Sequence, residues 1–222
     1  MVRLPDLAKD RLTVPADRME RFAKGSVVYR VHPNLYSPTG GVIRFNDSDC
    51  GNARFSPIRD GAGKIIPTLY AGTTLNCAFM ESVFHDVPIG AGPTTIDPTH
   101  LDLLVCSEVE TLKELLLIDL TSTGLRHFGL KNTDLIDTDA DTYSLTRAWA
   151  EALYERNPDA QGLFWTSRMQ NRAQSFMLFG PRVDSPKYLQ PVGEPKRLRQ
   201  PDGTIDLEVL RMAKKIDVDF AS

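Results

Sequence analysis

Two periods of hydrophobic and polar residues run through the chain. A period of two, or a short apolar run rich in β-branched and aromatic residues, marks SVVYRVH (26–32), TLYAG (68–72), LDLLVCSEV (101–109), ELLLIDL (114–120), GLFWTS (162–167) and SFMLFG (175–180) as strands. VIRFN (42–46) and ARFS (53–56) are shorter strand-like pieces between Gly, Asn, Asp and Pro clusters. ELLLIDL is almost wholly apolar, which predicts a central strand covered on both faces. A helical period appears in LNCAFMESVFH (75–85), where Leu75, Ala78, Phe79 and Val83 share one face and Thr73 or Thr74 caps the start. It recurs in SLTRAWAEALYERN (144–157), closed by Pro158, and in the amphipathic IDLEVLRMAKKI (205–216). ADRMERFAKG (16–25) fits a further helix ending at Gly25. The stretch PNLYSPTGG (33–41) reads as turns, and the Pro-rich basic EPKRLRQPDG (194–203) as a solvated loop. Short mixed strands with interspersed helices predict an α+β fold of small packed sheets with flanking helices.

Length and composition narrow this picture. At 222 residues, 41% hydrophobic and 25% charged, the chain is expected to form one globular domain with a sizeable core. A helical preamble (1–25) would precede a motif-bearing core (27–182) and a C-terminal extension (185–222). The formal charge of −3 gives no large positive field, so direct binding of nucleic acid is not expected. Cys50, Cys77 and Cys106 are odd in number and widely spaced, which suggests reduced thiols and neither a disulfide framework nor a metal knuckle. His32, His85, His100 and His127 lack metal-ligand spacing, so no metal site is expected. Charges interrupt the N-terminus and no apolar run reaches membrane-spanning length, which predicts a cytoplasmic protein with no membrane association.

Several polar residues sit in or beside the apolar segments, where a charge is costly unless paired or used. These are Arg30 in VVYRVH, Arg54 in ARFS, Tyr70 in TLYAG and Ser167 at the end of GLFWTS. Glu81 lies on the side of the 75–85 helix away from its apolar stripe. Each has an ordinary explanation: a strand-edge arginine snorkels, a tyrosine packs with its hydroxyl bonded, a serine caps a turn, and an off-stripe glutamate is solvated.

Their order along the chain is more specific than any one of them. YR at 29–30, RF at 54–55, LYAG at 69–72, A-x-x-E at 78–81 and G-x-x-x-x-S-R at 162–168, followed by LF at 178–179, together resemble the RES-domain toxins over residues 27–182. The family takes its name from Arg, Glu and Ser, which here are Arg30, Glu81 and Ser167. The Gly-Gly pair that often precedes the RF arginine is Asn52-Ala53 in this chain, whereas Gly40-Gly41 lies upstream of Arg44-Phe45. Arg44 therefore competes with Arg54 for the second arginine position.

The resemblance implies an ADP-ribosyltransferase-like fold, degradation of NAD as a substrate, and neutralisation by an Xre-type antitoxin. Phosphate is a possible co-substrate, and a homo-oligomer remains open. Glu81, Arg30 and Ser167 would be catalytic, and Arg54, Tyr70 and Tyr29 would bind NAD. The chemistry suits these residue types. Nicotinamide leaves a cationic pyridinium as a neutral molecule, so no acid is required and one carboxylate suffices, unlike the paired carboxylates of ordinary glycosidases. Glu81 would oppose the positive charge growing on the ribose. Arg30 and Arg54 would clamp the pyrophosphate, Tyr70 would face the nicotinamide ring, and Ser167 would bond ribose or the carboxamide. Tyr29, next to Arg30, is expected on the opposite side of its strand. No GxGxxG or GxxxxGK[ST] motif is present, which argues against NAD as a bound redox cofactor. Phe79 stands two residues before Glu81, so the E-x-E pair of many protein-modifying ADP-ribosyltransferases is missing. Transfer of ADP-ribose to a host protein, or a non-catalytic nucleotide- or partner-binding module, are the alternatives.

Overall fold

The computed structural model describes residues 3–6, 11–34, 41–88 and 94–221. The strands are β1 (Glu20–Phe22), β2 (Val27–Pro33), β3 (Ile58–Arg59), β4 (Ile65–Ile66), β5 (Thr68–Gly72), β6 (Thr94–Ile96), β7 (Leu104–Thr111), β8 (Leu115–Asp119), β9 (Gly162–Thr166), β10 (Gln174–Phe179), β11 (Leu189–Arg197) and β12 (Val218–Phe220). The α-helices are α1 (Leu75–Met80), α2 (Asn132–Leu135), α3 (Tyr143–Arg156), α4 (Ser185–Tyr188) and α5 (Leu207–Lys215). Eight strands form one sheet in the order β1-β8-β9-β10-β5-β2-β7-β11, and β12 with β6 and β3 with β4 form two small pairs. All neighbours in the large sheet are antiparallel except β8 and β9. The long crossover between that parallel pair carries α3, as a parallel connection requires. The fold is α+β, as the mixed pattern predicts.

Apolar residues fill both faces of the sheet. On one side, Trp149 and Leu153 of α3 pack with Leu163, Trp165, Met177 and Phe179. On the other, Val28, Leu69, Leu117, Phe164, Phe176 and Leu178 form a second cluster. A third joins α1 to α5 through Phe79, Met80, Phe84, Val209 and Met212, so the C-terminal segment buttresses the helix that precedes Glu81.

Several expected elements take another form. ADRMERFAKG is not a helix: Ala16–Arg18 make one 3-10 turn, and Glu20–Phe22 pair antiparallel with Leu115–Leu117 of β8. The free edge of an apolar strand satisfies more backbone there than an isolated short helix could. β8 is thus flanked on both sides, though it lies one strand from the sheet edge. In VIRFN, Gly41–Ile43 form a 3-10 turn and only Asn46 bridges to Thr68. ARFS is a tight turn closed by the Ala53–Ser56 bridge. The 101–109 strand starts later, at Leu104, because Pro98–Leu101 form a 3-10 turn. Much of EPKRLRQPDG is not loop but the end of β11, paired with β7 through Lys196 and Arg197. Of PNLYSPTGG, residues 35–40 lie outside the described residues.

Helix α1 rests directly on the end of β5. A β-carbon added to Gly72 would lie 3.0 Å from the backbone nitrogen of Ala78 and from Cβ and Sγ of Cys77. The strand must present bare backbone here, so Gly72→Ala is expected to destabilise the protein by about 1–3 kcal/mol through overpacking. Urea unfolding checks this, and an unchanged midpoint would show that the helix can back away at no cost.

Candidate active site at a seam in the sheet

Strands β2 and β5 are neighbours with little shared ladder. β2 pairs with β7 from Val27↔Glu110 to Pro33↔Leu104, whereas its described register with β5 is Tyr29↔Gly72. Where the two strands part, a cleft of about 290 Å³ opens. Tyr29, Arg30 and Val31 border it from β2, and Tyr70, Ala71 and Gly72 from β5. Glu81 borders it from the end of α1, and Arg54 from the 53–56 turn.

Glu81 owes its position to the early end of α1. Thr74 Oγ1 accepts from the Cys77 N–H and starts the helix, as expected, but the regular turns stop at Met80. Ser82 Oγ donates to the Ala78 carbonyl, and the Phe84 N–H reaches back to Phe79. This local competition loosens the helix and lets Phe79, Val83 and Phe84 all become buried. Glu81 is therefore a half-buried helix end bordering the cleft, and not the solvated flank of a longer helix.

Ser167 fixes the carboxylate. Its Oγ accepts from the Gln170 N–H at 2.9 Å and donates its single proton to Glu81 Oε1 at 2.6 Å. At 1% exposure Ser167 is not part of the cleft wall. As placed, its hydroxyl proton is directed to Glu81, so Ser167 orients that carboxylate.

Two arginines meet the cleft differently. Arg30 is buried and donates from Nη1 to the carbonyls of Val42 (2.8 Å) and Arg44 (3.1 Å), so it also braces the 41–44 turn. Arg54 is 5% exposed, and its guanidinium carbon sits 5.7 Å from the centre of the Tyr143 ring. Among the described residues Arg54 forms no ion pair, and its buried Nε has no hydrogen-bond partner. Its main chain is held firmly: Thr146 Oγ1 donates to the Arg54 carbonyl, Arg147 Nε to that of Ala53 at 3.1 Å, and the Phe55 N–H donates to Tyr70 Oη at 3.1 Å. Arg44, the competing candidate, is not among the cleft residues; its guanidinium lies 3.8 Å from Asp47 on the surface.

Tyr70 is tied into the same region. Burial pushes its phenol up to about 12, and the neutral hydroxyl holds the Phe55 backbone. The Tyr70 ring stands edge-on to Trp165, centroids 6.1 Å apart. Tyr29 borders the same cleft as Arg30 despite the strand alternation, because this part of β2 forms the rim of the opening. Trp165, Ser175, Tyr143 and His85 also border the cleft and were not singled out from the sequence. Trp165 and Ser175 lie in expected strands and His85 at an expected helix end, while Tyr143 falls just before the helix expected at 144–157. Thr146 and Arg147 could be found only through their reach to residues 53–54, more than 90 positions away. Among the described residues no group of three or more His, Cys, Asp or Glu is placed to hold a metal ion. The cysteines are free, with Cys77 and Cys106 buried and Cys50 exposed.

The order of motifs and this geometry agree with a family comparison. The RES domain model matches residues 27–197, more than three quarters of the chain. The chain belongs to the RES domain family. No curated protein matches it at a significant level. The match ends with β11, so α5, which packs behind α1, lies beyond it. No described helix of this RES domain protein is long and apolar enough to cross a membrane.

His32 sits on β2 two residues after Arg30. Nδ1–H donates to the Pro33 carbonyl at 3.1 Å, and Nε2 accepts from Ser107 Oγ at 2.7 Å, which is the neutral ring. Burial, followed by the charge of Arg30, lowers its pKa to about 4. In the unfolded chain His32 takes up a proton below about 6.5, while the folded ring stays neutral until about 4. Its contribution to stability is thus complete above pH 6.5 and declines as pH falls toward 4. Thermal melts of the wild type and His32→Gln across this range are expected to diverge near neutral pH and converge in acid. Parallel curves would mean that the buried ring is not what titrates.

Proposed function

We propose that this RES domain protein is an NAD-degrading toxin that cleaves the nicotinamide–ribose bond and passes ADP-ribose to water or inorganic phosphate. The family is associated with NAD-related toxin function, which supports an NAD-utilising enzyme. The observation that carries the finer reading is the pairing, in one cleft, of a carboxylate fixed by Ser167 with the buried guanidinium of Arg54, which has no carboxylate partner among the described residues. A buried cation without an anion is costly, and a phosphate would supply one with bidentate geometry.

The reaction follows from these groups. With the pyrophosphate held at Arg54 and the pyridinium ring against Tyr70 and Trp165, the nicotinamide-bearing ribose lies beside Glu81. As the C1′–N bond breaks, its electron pair goes to nicotinamide and positive charge spreads over C1′ and the ring oxygen. The Glu81 carboxylate opposes that charge, an interaction that strengthens only in the transition state. Water or phosphate then forms the new O–C1′ bond, and for water the released proton passes to solvent. Ser167 keeps the carboxylate in one orientation, so none of its alignment must be gained during the reaction. Phe79, where a second glutamate would stand, is 1% exposed in the core, which favours a small acceptor over a protein side chain. The Xre-type antitoxin of this proposal acts by covering the cleft mouth.

Purified protein incubated with NAD is expected to release nicotinamide, and the phosphate dependence of the sugar product identifies the acceptor. Glu81→Gln should lower kcat by about 10²–10³-fold, as does loss of one preorganised electrostatic group elsewhere. Failure of the wild type to release nicotinamide with or without phosphate would overturn the reading. With labelled NAD and a cell extract, label in a discrete protein band would instead indicate protein modification.

Ser167→Ala removes the donor to the carboxylate and should reduce kcat about 10–100-fold, the worth of a hydrogen bond to a charged group, with little change in KM. A rise in KM at constant kcat would show that Ser167 contacts substrate.

A further inference from the structure

Where the N-terminal arm crosses the end of β8, a cavity of about 430 Å³ opens that shares no lining residue with the cleft. β9 and β10 separate β8 from β5, so the two sites stand apart in the sheet. The arm is pinned at this point. Leu12 and Val14 are buried in the first core cluster, Asn157 Nδ2 donates to the Leu12 carbonyl at 2.8 Å, and the Val14 N–H donates to Asn157 Oδ1 at 2.7 Å. With Leu12 turned inward, Arg11 is turned outward. Arg18, closing the 3-10 turn before β1, and Arg126, on the 3-10 helix Gly124–Phe128, border the same cavity as Arg11. None of the three guanidinium groups makes an ion pair among the described residues. Asp119, the one carboxylate of the wall, is bonded elsewhere, its Oδ1 accepting from the Thr121 N–H at 2.7 Å. Arg18 is oriented by His127: Nε2–H of the ring donates to the Thr13 carbonyl at 3.2 Å, which leaves Nδ1 to accept from Arg18 Nη1 at 3.2 Å. That bond uses one guanidinium N–H and holds the rest of the fork in place.

We propose that this cavity is a separate binding site for a small molecule carrying a phosphate or pyrophosphate group. Its volume lies within the range of small-molecule sites. Three guanidinium groups against one carboxylate leave an excess of two positive charges in its wall, although the chain as a whole carries −3. Val14 and Phe128 supply buried apolar wall beneath those charges, and a concave, low-dielectric surface of one sign concentrates anions. Geometry selects among anions. A carboxylate offers two oxygens on one edge and matches a single fork, whereas a phosphate presents oxygens in several directions and can engage more than one guanidinium. A phosphate group therefore fits three convergent arginines better than the side chain of an acidic peptide does. The site also gives the N-terminal arm a role. Arg11 and Arg18 precede residue 27, where the family match begins, and Arg126 lies within the match, so the arm completes a site that the matched region does not form alone.

The test is calorimetric titration of the full chain with inorganic pyrophosphate, a measurement independent of turnover. Arg11, Arg18 and Arg126 are exposed, so replacing them leaves the core intact. Arg18→Gln and Arg126→Gln are each expected to weaken pyrophosphate binding at this cavity about tenfold, the worth of one charge-assisted hydrogen bond. Arg54→Gln separates the two sites: it removes the anion partner of the cleft and should leave one binding event per chain, which the Arg18→Gln/Arg126→Gln pair then abolishes. Binding should also weaken as salt is raised, since the arginines are solvent-exposed. Pyrophosphate binding of the wild type that is unchanged by the Arg18→Gln/Arg126→Gln pair, with wild-type melting temperature, would overturn the proposal. So would an oligoglutamate peptide that binds at these arginines more tightly than pyrophosphate, because the cavity would then be a docking point for an acidic protein segment.

Discussion

The structure depends on the incomplete pairing of β2 with β5. A sheet buried on both faces has no room for a substrate, because every backbone group is committed to a ladder and every side chain to a core. Here the ladder lapses beyond the Tyr29↔Gly72 register, and the two strands carry Arg30 and Tyr70 to the edges of the gap. β2 remains fully paired on its other side with β7, and β5 with β10. The strand walls of the cleft are thus held from behind by complete ladders, and preorganised walls let charged groups act without reorganising.

Glu81 is brought to this gap by a sequence of close approaches. Gly72 lets α1 lie against β5, and the Ser82 hydroxyl helps to end the helix one residue before Glu81. α5 packs behind through Val209 and Met212, so residues outside the family match still support the carboxylate. Ser167, at the end of β9, then fixes one carboxylate oxygen from the opposite side. Helix, strand and C-terminal segment all bear on one side chain, which is why the chemistry of a lone glutamate cannot be judged from its own neighbours in sequence.

The elements that were legible in the sequence are those whose side-chain period agrees with their final burial. β2, β5, β9, β10, α3 and α5 lie within a residue or two of the segments that their patterns mark. The errors fall where long-range pairing overrode local preference. Residues 20–22 gained an edge ladder with β8, and residues 196–197 gained one with β7 although their composition is that of a loop. For the site, the order of short motifs pointed to Arg30, Arg54, Tyr70 and Glu81, and all four border one cleft. It could not separate Arg54 from Arg44, since both precede phenylalanine. Tertiary position separates them, as Arg44 faces Asp47 on the surface. Nor could it show that Ser167 serves Glu81, because 86 residues lie between the two partners.

Arg54 shows how a residue on a turn acquires the precision of one on a strand. Turns ordinarily move more than the elements they connect. The 53–56 turn is tied at three consecutive residues: Arg147 reaches the Ala53 carbonyl, Thr146 the Arg54 carbonyl, and Tyr70 accepts from the Phe55 N–H. Two of those partners lie on α3 and one on β5, the elements that pack against each other across the first core cluster. Tyr70 suits this because a phenol is neutral at physiological pH, and a neutral hydroxyl can accept the backbone bond without adding an anion beside Arg54. A neutral oxygen leaves the Arg54 guanidinium without an ion-pair partner among the described residues. Burial pushes that phenol up to about 12, and the packing of Phe55 and Trp165 beside it belongs to the same core that holds the turn.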